Sequence, residues 1–138
     1  MREIKFRGVR VDNGEWVYGD LWRNPYGKVG FVNIVSFYED TGTTGGLNVF
    51  PETVGQYTGL KDDDGIEIYE GDILECLNEV GEMSEHDSDT GIGTVEWLER
   101  YGFWNISGIE NGLGDINEFG FTKVIGNIHE NPELLEKG

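Results

Sequence analysis

Residues 51–72 read PETVGQYTGLKDDDGIEIYEGD, and no other run restricts the fold of this chain as much. KDDDG is a turn with Asp64-Gly65 at its tip, and EGD around Gly71 is a second turn. Glycine takes the backbone angles of tight reversals without a steric penalty, and Asp closes them through its side chain. TVGQYTGL before the first turn is a short strand candidate. Between the turns, IEIY alternates Ile66 and Ile68 against Glu67, and after them ILECL continues in strand character. Two reversals within about twenty residues predict short antiparallel strands rather than helices.

The flanking sequence agrees. Ile4 and Phe6 alternate with Lys5 and Arg7, which predicts a half-buried strand with its apolar side inward. Asn13-Gly14 lies between apolar residues and predicts a hairpin with a type I′ turn. WVYGDLW is the returning strand, a turn is expected over RNPYGK, and VGFVNIVSF is the next strand, so the first part reads as a meander. Residues 39–48 are a loop by composition. GTVEWLERYGFWNI predicts a hairpin whose tip lies near Glu99–Gly102. GIENGLGD reads as a glycine-rich loop, and FTKVIGNI is the last clear strand. Asn131 and Pro132 start a short terminal helix, PELLEK, with Asn131 at the cap. No other segment shows helical periodicity. Twenty-two glycines against three prolines suit a turn-rich β protein, and 138 residues suit one domain or two small lobes.

Charge divides the chain at the same place. Residues 1–58 carry six Lys/Arg and seven Asp/Glu, whereas residues 59–138 carry four and twenty. Neither Lys nor Arg occurs between Asp62 and Glu99. Nucleic-acid affinity comes largely from cations that displace counterions, so this surface disfavours nucleic acid, and anionic membranes for the same reason. Basic proteins would be attracted. No apolar run approaches bilayer-spanning length, and MREIKFRGVR lacks a signal peptide's apolar stretch, so a cytoplasmic protein without a membrane partner is expected. Residues 78–91, NEVGEMSEHDSDTG, are acidic and aperiodic and are expected to form a mobile surface loop.

The chemistry-bearing residues do not form a known constellation. Aligning an EF-hand loop on Gly65 puts Leu60 and Gly71 at ligand positions, and neither side chain offers oxygen. Asp62, Asp64, Glu70 and Asp72 are candidate ligands or bases for a metal-dependent enzyme, yet turn chemistry explains them better. Cys76, His86 and His129 match no metal-ligand spacing, although a Cys–His pair meeting in space stays open. Cys76 in an apolar strand is more simply packing. Phosphate-binding glycine motifs are absent. No catalytic, cofactor-binding or metal residues are therefore assigned. Trp16, Tyr18, Trp22, Trp97, Phe103 and Trp104 fall in strands and are expected in the core, while any left exposed would mark a protein interface.

The run from Glu52 to Leu74, the N-terminal REIKFRGV, the GTVEW strand and the closing VIGNIHENPELLE together resemble the YopX family of phage and prophage proteins. The resemblance runs end to end, as a single YopX-like domain over 1–138. It implies a mainly β pseudo-barrel of short antiparallel strands capped by a short C-terminal helix. Residues 1–58 would be the charge-balanced meander and 59–138 the acidic barrel portion. Ile66, Ile68 and Ile73 would fill the core, and Tyr57 and Tyr69 would close the barrel's ends. The resemblance also implies phage or prophage encoding, within a host cell's cytoplasm. It carries no activity, cofactor or site residue.

The expected function is an accessory role through protein–protein binding, with a basic protein or a second copy as partner. The alternatives are an acidic DNA mimic that occupies a host DNA-binding protein, or a metal-dependent enzyme using surface carboxylates. Direct nucleic-acid binding through Arg2, Lys5, Arg7 and Arg10 is the weakest reading.

Overall fold

The computed structural model describes residues 3–22, 32–36 and 47–137. Two compact units divide the chain, Met1–Tyr57 and Thr58–Gly138. The boundary falls one residue from the change in charge balance. The mainly β class holds: short antiparallel strands dominate both units.

In the first unit, β1 (Phe6–Val9), β2 (Trp16–Trp22), β3 (Val32–Ser36) and β4 (Leu47–Val49) form an antiparallel meander in which each strand pairs with the next. The start of β5 (Gly55–Lys61) lies on the other side of β1, with Gln56 opposite Phe6. Val17, Ile34 and Val49 are buried at its centre, with Phe6, Leu21, Leu47 and Val54 packed around them. Leu47 and Asn48 are strand, not the loop that their glycine-rich approach suggests. Burial of Val49 explains this, because Gly8 of β1 lets it approach so closely that a β-carbon there would stand 3.0 Å from the Val49 β-carbon. Arg2, the expected turn over RNPYGK, apart from its first residues' neighbours in β2, and residues 39–46 lie outside the described residues.

Two details of this unit correct the expectations. The hairpin at Asn13-Gly14 exists, but only Gly14 has positive φ (74°), so the turn is not type I′. Four residues separate the closing pair instead: Arg10 N–H donates to the Glu15 carbonyl at 2.8 Å, and the Asn13 side chain accepts from Glu15 N–H. β1 is also covered on both faces: Phe6 packs against the core as expected, and the opposite face is buried as well. Lys5 and Arg7 are buried and Ile4 is exposed. Each cation lies over a ring, Lys5 Nζ 5.1 Å from the Tyr57 centroid and the Arg7 guanidinium 4.7 Å from that of Trp16. Their aliphatic stems pack while the rings' negative faces offset part of the desolvation of the charge. Alternation alone does not detect such an arrangement.

The second unit is an open four-stranded sheet in the order β10-β7-β8-β9, made from β7 (Asp72–Leu77), β8 (Gly91–Leu98), β9 (Phe103–Ile106) and β10 (Phe121–Asn127). The remainder of β5 accompanies β6 (Glu67–Tyr69), where the Thr58 hydroxyl donates to the Ile68 carbonyl at 2.8 Å. Among the described residues, the strands at both ends of the order have no second strand neighbour, so this sheet is open and is not a closed barrel. Accordingly Tyr57 and Tyr69, both buried, close no barrel end.

A seven-residue helix, α1 (Leu113–Phe119), replaces the expected loop after GIENG. Gly112 and Gly114 hide it, since glycine is a poor helix former. Burial holds it: Leu113 and Ile116, three residues apart and on one helical face, join Leu74, Cys76, Val95 and Ile106 in one core cluster. Ile68 and Ile73 are fully buried as expected, whereas Ile66 is 52% exposed, because it belongs to the turn rather than to β6. The closing PELLEK forms a 3₁₀ helix over Pro132–Lys137.

Gly93 and Gly114 make opposite predictions. A β-carbon at Gly93 would stand 2.0 Å from the Ser107 carbonyl oxygen, whereas nothing lies near one at Gly114. Gly93→Ala should cost at least about 3 kcal/mol by splitting β8 from β9. Gly114→Ala should gain about 0.5–1 kcal/mol. Urea unfolding curves of the two variants check both signs.

Candidate functional site

The acidic signature residues are the natural place to look for chemistry, and the structure shows what occupies them. Asp62 is buried. Its Oδ1 accepts the N–H groups of Asp64 and Ile66, each at 2.9 Å, and its Oδ2 accepts that of Val124 in β10, also at 2.9 Å. Asp63 accepts from Thr122 N–H at 2.5 Å and returns its own N–H to the Thr122 carbonyl at 3.1 Å. The turn thus satisfies the edge of β10 that faces away from β7, a service that edge strands require. Asp72 is buried and accepts from Tyr69 N–H at 2.8 Å. Between them Gly71, at φ 90°, donates to the Val95 carbonyl and accepts from Ile128 N–H.

These bonds correct the metal-enzyme expectation. Asp62 and Asp72 point into the fold as acceptors for backbone amides, while Asp64 is exposed in the turn and Glu70 is half-buried. The four are not brought together as a ligand set, and among the described residues no group of three or more His, Cys, Asp or Glu is placed to hold a metal ion. Cys76 is fully buried in β7, whereas His86 and His129 are exposed. Burial, reinforced by the charges of Asp89 and Glu75, pushes its thiol up from its ordinary 9.0 to about 12. A nucleophilic cysteine needs the opposite shift.

The basic residues are committed as well. Lys5 and Arg7 are buried over their rings, with Lys5 also 3.1 Å from Glu3, and Arg10 makes two contacts with the Asp12 carboxylate, at 2.9 and 2.7 Å. The nucleic-acid reading through Lys5, Arg7 and Arg10 therefore loses its free cations.

The acidic stretch 78–91, with Gly91 already in β8, is a chain of turns closed by side chains. Asn78 accepts from Val80 and Glu82 N–H, and Thr90 exchanges hydrogen bonds with Ser84. It is tied to the segment before α1: Asp89 accepts from both the backbone and the side chain of Asn111, at 3.0 and 2.7 Å, and Ser88 donates to Glu110.

Exposed rings occur at Phe50, Phe119 and Phe121, and three more lie at the β8–β9 hairpin. Trp97 is 41% exposed, Tyr101 65% and Phe103 42%. The hairpin tip falls at residues 99–102 as expected, with Gly102 at φ 69° and its N–H donating to the Leu98 carbonyl. Register pairs Trp97 with Trp104, Leu98 with Phe103 and Glu96 with Asn105. One face therefore carries Trp97 and Trp104, edge to face at 4.9 Å, and the other carries Glu96, Leu98, Phe103 and Asn105. Tyr101 reaches back from the tip to within 6.0 Å of the Phe103 centroid. Of the strand aromatics expected in the core, Trp97 and Phe103 are thus surface residues; Trp104 packs against the core and Trp16 stacks with Arg7. Sequence reasoning did not mark Tyr101, although its place at a predicted hairpin tip was the available signal.

These observations define a mainly β, strongly acidic domain in which Asp62, Asp63 and Asp72 accept backbone amides. The chain belongs to the YopX protein family, whose profile it matches over residues 5–136. Its structure is similar to the crystal structure of protein EF1440 from Enterococcus faecalis, with a TM-score of 0.57 and 26% identity, covering 98% of this chain and 99% of that one. The curated proteins show no match.

Asp62→Ala leaves three amides without their acceptor and should cost about 2–4 kcal/mol, whereas Asp64→Ala should stay within about 0.5 kcal/mol. Thermal and urea unfolding measure the difference. The raised thiol value of Cys76 has a definite sign: the folded state keeps the proton that the unfolded state loses above pH 9.0, so this stabilisation is complete below pH 9.0 and falls away toward about 12. Cys76 should resist a thiol reagent at pH 8 in native protein and react promptly in denaturant.

Proposed function

We propose that this protein is a phage- or prophage-encoded accessory protein of the host cytoplasm that acts by binding another protein, with the β8–β9 hairpin as its contact surface. The supporting observation is the exposure of Tyr101 beside Phe103 at the end of the hairpin, with Trp97 exposed on its other face. Large rings left in water lose the area burial that would otherwise stabilise them, and a partner that covers them recovers it. Aromatic residues are also the side chains that carry most binding energy at interfaces. The carboxylate excess after residue 58 favours a basic partner and speeds its encounter. No helix among the described residues is long and apolar enough to cross a membrane.

Tagged protein and its Tyr101→Ala/Phe103→Ala variant, which has the same net charge, should be compared in host-lysate capture. Wild type should retain a host protein that the variant loses by at least about tenfold, the effect of roughly 1.4 kcal/mol of lost contact. Equal recovery on both baits would reject the hairpin as the contact surface. Capture lost by the variant in favour of DNA-binding proteins alone would support the mimic form of the same reading.

A further inference from the structure

Resting on that protein-binding reading, we infer that the hairpin face carrying Phe103 and Tyr101 takes an arginine-bearing basic segment of the partner. The chain already shows the contact. Its own Arg100 guanidinium lies 5.6 Å from the Tyr101 ring centroid, so a partner's guanidinium takes the Phe103 ring or displaces Arg100 from Tyr101. In the first unit Arg7 over Trp16 uses the same chemistry. Beside the rings, Glu96 shares the Phe103 face by register but already accepts from the Asn105 side chain at 3.0 Å, whereas Glu99 next to the tip is exposed and is the carboxylate that would pair with the guanidinium.

Charge selects among occupants. A second copy brings the same net charge of −17 and is repelled. A nucleic acid or an anionic membrane is repelled likewise. A basic segment is attracted, and of the two cationic side chains arginine suits stacked rings better. Its guanidinium is planar and more weakly hydrated than an ammonium, so it stacks with less desolvation cost.

The test is fluorescence anisotropy with labelled nona-arginine, nona-lysine and an uncharged leucine-bearing nonapeptide at about 0.15 M salt, where long-range attraction is screened within roughly 8 Å. Wild type should bind the arginine peptide at least about fivefold tighter than the lysine peptide, a gap of roughly 1 kcal/mol. In Tyr101→Ala/Phe103→Ala the preference should vanish while a weaker, charge-driven affinity for both peptides remains. Glu99→Gln should weaken the arginine peptide without disturbing the fold, checked by its unfolding midpoint. Equal affinity for the two cationic peptides in wild type, an unchanged preference in the aromatic variant, or tighter binding of the leucine peptide would overturn the inference. If lysate capture still depends on the rings in that event, the protein-binding reading survives and only the arginine assignment falls.

Discussion

The second unit depends on carboxylates that accept backbone amides. Asp62 and Asp63 hold the outer edge of β10 from one four-residue turn, and Asp72 closes the next turn against Tyr69. A charged acceptor bonds an N–H about twice as strongly as a neutral one, and a buried amide without a partner is costly. The side chains that look most reactive in the sequence are thus those whose loss would open the sheet. Gly71 completes the arrangement. With a positive φ its peptide turns so that its N–H reaches β8 and its carbonyl receives Ile128, just past β10. The signature run is therefore fastened to strands far from it in sequence, which explains why so specific a pattern does not require a catalytic purpose.

This allocation also explains how a chain of net charge −17 can fold. Self-repulsion opposes compaction unless charges are offset or dispersed. Asp62, Asp63 and Asp72 each accept oriented backbone amides, in a part of the chain that carries few cations. Asp89 uses Asn111 in the same way, joining the 78–91 stretch to the segment ahead of α1. In the first unit the roles reverse, since the buried cations Lys5 and Arg7 are offset by the faces of Tyr57 and Trp16.

Turns were the most legible elements. Asn13-Gly14, Asp64-Gly65, Gly71 and the Glu99–Gly102 tip all fall where glycine and its neighbours predict reversal, because turn geometry is decided locally. Inside and outside were less legible. Alternation in REIKFRGV shows which residues share a face but not that the Lys5–Arg7 face is covered too, because the stacking rings lie distant in sequence. Helix α1 was missed because its glycines mask the Leu113–Ile116 spacing, and its stability comes from tertiary burial. The candidate surface was legible only as a condition: exposed aromatics would mark an interface. Counting rings could not show that Trp97 and Phe103 were the exposed ones, since exposure depends on β9 ending the sheet.

That sheet end accounts for the character of the surface. β9 has β8 on one side only, and α1 packs its buried residues toward Val95 and Ile106 nearer the base of the hairpin. Beyond that cover the hairpin continues to its tip, and rings that began as core positions pass into solvent. An exposed aromatic hairpin would ordinarily invite self-association. On the proposed reading, the carboxylate excess that every copy carries opposes self-association through this hairpin. On the same reading, attraction and exclusion act on different partner properties: the rings supply contact area, while the charge selects what approaches.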